Sequence, residues 1–284
     1  MEARRKMRTR ISWCGVLALA WACTSCSTGP QPPAPGSPAF IWGAAKQTYK
    51  TGDFRKTDEN LMQLVRTESE LAGKAQPWAV VMSAGIAQGY MDLAQAYEAG
   101  AKANRPNPTP FRKQVSMLQS LGSASALEFA ETVHLFLDKN KNADVTLAFD
   151  YPPGSMTEPP NLRKVSAGML MQDSEADQLL NAMLQRGVVR TVNQVTGNPD
   201  DTAKTLELFK AGEPKVPRPT FLFGVAKSLN DVSALYSPTR LDQPQRLRLL
   251  CQQALDSLGT IPETKDSKAL KDKIQAALKK LRPT

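Results

Sequence analysis

Four cysteines and a single histidine hold the options of this 284-residue chain for redox, metal or nucleophilic chemistry. Cys23 and Cys26 form a C-x-x-C, the spacing of dithiol redox pairs and of metal knuckles. The redox form of that motif belongs at a strand-to-helix junction, whereas here it follows directly on an apolar leader. His134 lies between Glu131 and Asp138, which a helix would place on either side of it to tune its charge. A Ser-His-Asp hydrolase would depend wholly on this imidazole, and no G-x-S-x-G elbow accompanies it. Glu131-x-x-His134 is also half of a di-iron bundle motif, but that chemistry needs a second copy and only one exists. Cys251 shares a helical stripe with Leu247, Leu250, Ala254, Leu255 and Leu258, the surroundings of a small buried hydrophobe rather than a nucleophile. Asp200 and Asp201 follow Asn198-Pro199, where proline replaces a ligand that a calcium loop needs, so they read as a helix N-cap. No Gly-rich phosphate loop is present either. The expectation is a chain with no catalytic, cofactor or metal residues, and not an enzyme.

The leader explains the C-x-x-C better than redox chemistry does. Arg4, Arg5, Lys6, Arg8 and Arg10 precede an uncharged run from Ile11 to Ala22. A basic start, a short apolar core and small residues before a cut describe a secretory signal. As a helix the run rises about 18 Å, short of the roughly 30 Å bilayer core. Small residues followed at once by cysteine resemble the lipobox of bacterial lipoproteins. That resemblance implies that residues 1–22 are a signal peptide and that Cys23, or alternatively Cys26, becomes the fatty-acylated N-terminus. An ordinary cut after Ala20-Trp21-Ala22 stays open. Thr24 or Ser27 follows the cysteines in place of the aspartate that retains some lipoproteins in the inner membrane. By analogy the expected address is the periplasmic side of the bacterial outer membrane.

Charge narrows the partners further. The formal net charge is +9, with 36 basic and 27 acidic residues. Removing the five leader cations and Glu2 leaves 31 basic against 26 acidic residues, or +5, without aromatic interleaving. Nucleic acid is therefore not an expected partner. Ser27 to Pro38 holds five prolines in twelve residues, a spacer of about 35 Å as polyproline II. The expected plan is a lipid and spacer over 23–39, then a helical body over 40–284 with a possible sub-boundary near 141–160.

Within the body, periodicity predicts helices punctuated by proline and glycine. The first two cover Ile41–Thr51 and Arg55–Leu71. Pro77 starts a third that runs to Lys102, with Gly85, Gly89, Leu93, Ala96 and Gly100 on one side for close approach of a neighbour. Two helices follow, from Phe111 and over Ser125–Asp138, separated near Gly122-Ser123. Val145–Phe149 is strand-like but without a partner, so an extended excursion is expected. Helices resume over Asn161–Met171, from Asp173 to Val195 and over Asp200–Lys210. Glu213–Pro219 reads as a stiff linker, and the last three helices cover Thr220–Tyr236, Gln243–Leu258 and Asp266–Leu281. The lysines of the last helix, Lys265 to Lys280, read as a solvated face, or alternatively as a contact for anionic envelope surfaces.

The segment Ala44 to Phe54 resembles the tetratricopeptide repeat, whose Gly-Asp-aromatic turn joins antiparallel helices. Gly52, Asp53 and Phe54 make that turn, Ala45 takes the small crossing position, and Leu61 and Leu64 face the partner helix. Thr57 stands where alanine is usual. A looser echo runs through Ala226, Leu229 and Tyr236 to Cys251, Ala254 and Leu255. The resemblance implies an all-α array of stacked antiparallel hairpins with a concave face. It implies a non-catalytic adaptor that binds a protein or peptide of an envelope assembly. In plan (lipid anchor, spacer, helical hairpins) the chain is also similar to the T component of TRAP transporters. That likeness implies a small-solute-binding accessory as the alternative.

Overall fold

Ser37 begins the folded body by accepting a hydrogen bond from the Phe40 N–H at 3.3 Å, and Pro38 occupies the first helical turn. Helix α1 (Pro38–Lys50) therefore starts inside the stretch assigned to the spacer. The computed structural model describes residues 32–281, and among these ten α-helices and one two-stranded ribbon form. The all-α expectation holds. The chain turns at Gly52, whose φ of 75° disfavours a side chain, and Asp53 caps α2 (Phe54–Val65) by accepting from the Lys56 N–H at 3.2 Å. Ala45, Phe54, Leu61 and Leu64 are all buried in this hairpin. Thr57 is buried too, because its hydroxyl lies 2.9 Å from the Asp53 carbonyl and 3.0 Å from the Thr48 hydroxyl.

Two long helices form the middle of the body. Helix α3 (Glu70–Ala103) has 34 residues and α4 (Thr109–Lys139) has 31. They run antiparallel: Ser83 meets Thr132, Gly122 meets Tyr90, and Gln119 meets Glu98. Two sequence expectations change here. Pro77 lies inside α3 rather than at its start, since the apolar period of Leu71, Ala72 and Ala75 already belongs to the helix. Gly122-Ser123 does not interrupt α4. A Cβ on Gly122 would come within 3.2 Å of the Tyr90 Cβ, and Ser123 is tied to the Tyr236 hydroxyl at 3.1 Å. These residues serve packing, which a sequence displays in the same letters as a break.

The second half wraps this pair. It comprises α5 (Pro160–Ser166), α6 (Asp173–Val195), α7 (Thr202–Lys210), α8 (Arg218–Ser233), a 3-10 turn over Ala234–Tyr236, α9 (Pro244–Gly259) and α10 (Lys265–Lys279). Helix α6 crosses α3 where Gly85 and Gly89 had predicted a close neighbour. A Cβ on Gly85 would sit 2.5 Å from the Val188 Cα, and one on Gly187 would overlap the Gly85 carbonyl. Close approach places Asp92 of α3 2.9 Å from Arg190 and 4.0 Å from Arg186, all three side chains largely covered. From Ala34 onward the chain forms one unit, and the segment 141–160 contributes Val145, Leu147 and Phe149 to its core.

The strand-like segment does find a partner. Strand β1 (Asp144–Thr146) pairs antiparallel with β2 (Lys215–Pro217), Val145 opposite Val216. The partner comes from the segment read as a stiff linker. Val145, Leu147 and Phe149 point inward, and Phe149 stacks on Trp78 with ring centroids 5.3 Å apart. Tyr49 and Trp42 complete this aromatic corner at 4.8 and 5.0 Å from Phe149.

Candidate functional site

The residues singled out for chemistry end up apart from one another. Cys23 and Cys26 lie outside the described residues. Cys251 is a free thiol buried in α9, and burial raises its pKa, the opposite of what a nucleophile needs. His134 is exposed on α4, and its neighbour Glu131 turns instead to Arg66, which donates from Nε and Nη2 at 3.2 and 3.0 Å. Asp201 caps α7 by accepting from the Lys204 N–H at 3.0 Å, and that bond lowers its pKa. The lysines of α10 are exposed while Ile274 and Ser267 face inward. Among the described residues, no three His, Cys, Asp or Glu side chains gather as a metal site would require. No described helix is long and apolar enough to cross a membrane.

A groove of about 630 Å³ opens where the first turns of α3, the end of α4 and the ribbon meet. One wall is α3 from Ser69 to Pro77, and the other carries Asp144, Thr146 and Ala148 of the β1 segment with Lys215 of β2. Strand alternation produces the second wall: odd residues of β1 enter the core, so even residues face out. The lining is polar and of mixed charge, with Glu70 and Asp144 against Lys74 and Lys139.

Several main-chain and amide groups along this groove have no partner among the described residues. Leu147 N–H donates to the Pro214 carbonyl at 2.9 Å, and Arg218 N–H to the Ala143 carbonyl at 2.8 Å. Antiparallel alternation then turns the N–H and C=O of Asp144 and Thr146 away from β2. Pro77 has no N–H to return to the Gly73 carbonyl. Ser69 precedes α3 without a side-chain cap bond. Gln76 is only 3% exposed and lines the groove, and its side-chain amide makes no hydrogen bond with a described group. The groove thus presents paired donors and acceptors of the kind a peptide main chain completes.

Two other places are less well suited. A larger concavity of about 940 Å³ between the end of α3 and the start of α4 carries Lys102, Arg105 and Arg112, all exposed, and Glu98 with its partner Gln119. The buried Asp58 of α2 meets Glu128 of α4 within hydrogen-bonding reach, and Asp58 Oδ1 has no partner among the described residues. Burial first, then the neighbouring Glu128, pushes Asp58 well above the usual carboxylate range. The raised value favours the protonated form of the buried Asp58 beside the half-buried Glu128.

No protein-family model matches the chain, and no curated protein or solved structure matches it. What the chain does must be read from its residues and geometry.

Sequence reasoning missed the groove for identifiable reasons. Placing the helix start at Pro77 removed the turn that holds Gly73 and Gln76. The apolar spacing of Leu71, Ala72 and Ala75 was the signal that would have extended it. The pairing of Val145 with Val216 left no local trace, because the prolines flanking Val216 read as linker.

Proposed function

We propose that the chain is a lipid-anchored, non-catalytic adaptor on the periplasmic side of the bacterial envelope, where it binds a protein or peptide partner. The observation that carries this reading is the open polar groove between α3 and β1 with its unpartnered hydrogen-bonding groups. The leader, with Cys23 or Cys26 as its acylated residue, supports the anchor. A solute-binding accessory needs an enclosed apolar cavity with few polar groups. The α3–β1 groove and the concavity between α3 and α4 are open at the surface, with mostly polar and charged lining residues. They favour an extended partner.

The test is to express the full chain with its own leader, crosslink intact envelopes and identify what co-purifies. One or a few envelope proteins should be enriched, and radiolabelled palmitate should be lost on Cys23→Ser, or on Cys26→Ser if the second cysteine is used. An empty pull-down from correctly localised protein overturns the adaptor reading. Palmitate retained in the double variant overturns the anchor.

A further inference from the structure

We infer that β1 is a docking edge for an extended polypeptide segment of a partner, which lies in the α3–β1 groove as a third strand of the ribbon. The inference rests on the adaptor reading and names how its partner is held.

The ribbon has two outer edges and they differ in kind. The outer edge of β2 carries Lys215 and Pro217, and neither charge nor a missing N–H favours addition of a strand there. The outer edge of β1 presents the N–H and C=O of Asp144 and Thr146, and proline first follows at Pro152. That is the edge left open to pairing. Such an edge gives affinity through main-chain bonds and selectivity through alternate side chains.

What lies beside the edge strengthens the case. The Gln76 side-chain amide lines the groove with a carbonyl acceptor and an N–H donor group and has no partner among the described residues. The Gly73 carbonyl, which Pro77 cannot satisfy, stands on the same face of α3. A side-chain anchor would require an apolar pocket, whereas most residues lining this groove are polar or charged. The fitting ligand is therefore a chain segment recognised by its backbone, with small or polar side chains and no proline at alternate positions.

The test pans a phage library of random linear dodecapeptides against the full-length protein in detergent micelles and measures the selected peptides by fluorescence anisotropy. Thr146→Pro should weaken binding about tenfold or more, because it removes an outward N–H and blocks the approaching strand. It should leave circular dichroism and melting unchanged, since Thr146 donates nothing to β2. An independent measurement needs no protein variant. Methylating the peptide amides one at a time should abolish binding at every second position and spare those between. Binding indifferent to Thr146→Pro, tolerance of methylation throughout, failure to select any peptide, or self-association that Thr146→Pro removes would each overturn the inference. If envelope crosslinking still captures its partner in Thr146→Pro, the edge is wrong and the adaptor reading survives. If peptides bind with the two-residue period but envelopes yield no partner, the edge stands and the adaptor reading falls.

Discussion

The middle and the start of α3 solve opposite problems. Around Gly85 and Gly89 the helix is fitted to α6 so closely that no Cβ could be added on either side without moving backbone. Around Gly73 the same helix is open: a Cβ there would meet nothing within 4 Å. The first region satisfies its groups internally, as Asp92 does with Arg190. The second leaves the Gln76 side-chain amide and the outward groups of β1 without partners among the described residues, and Pro77 cannot donate to the Gly73 carbonyl. The middle of the helix holds the fold and its start is left open. The contrast shows that glycine alone says nothing about role until the neighbouring element is known.

The largest effect should come from filling the closed middle. Gly187→Val forces a branched side chain onto the Gly85 backbone and should lose stability at or above the top of the about 1–3 kcal/mol range for overpacking. For a body of this size that lowers Tm by roughly 6–12 °C, measured by thermal unfolding. An unchanged Tm would break the contrast at once.

Next comes the buried acid pair, which tests whether the satisfied side of the molecule has exceptions. Burial raises the Asp58 pKa in the folded protein above its unfolded value. The folded state therefore holds its proton at pH values where the unfolded chain, titrating near pH 4, has lost it. Stability from this group is full below about pH 4 and declines as pH rises toward the folded value. Asp58→Asn should remove that decline and gain about 1–3 kcal/mol near neutral pH, less in acid, by urea denaturation. Parallel pH profiles for the two proteins would show that Asp58 ionises freely.

Gly73→Ala has the opposite sign to Gly187→Val. Helix propensity without a clash should raise stability by about 0.5–1 kcal/mol. A loss instead would mean that the open start is as tightly fitted as the closed middle. Smallest of all, His134→Ala on the exposed face of α4 should change stability by no more than about 0.5 kcal/mol. A larger shift would return the lone histidine to consideration.

How much of this was legible depends on the range of the interactions. The α1–α2 hairpin was readable because Gly52, Asp53 and Phe54 encode a turn locally, and Ala45, Leu61 and Leu64 follow helical spacing. The glycines of α3 announced a close neighbour without naming it, since Gly187 carries no mark of its own. The continuity of α4 through Gly122-Ser123 was invisible, because the bond from Ser123 to Tyr236 spans 113 positions. The groove was hidden for the same reason, its walls coming from α3, α4, β1 and β2.

By itself the sequence determined the helical character of the body, the turns that separate most of its helices and the stripe that buries Cys251. Each depends on residues within a turn or two of one another, where propensity and hydrophobic period act directly. Tertiary structure alone decided that Val145 pairs with Val216, that Glu131 takes Arg66 rather than His134, and that the start of α3 faces an unfinished strand edge. Those outcomes depend on which surfaces meet when apolar faces are buried together, and no window along the chain contains both partners.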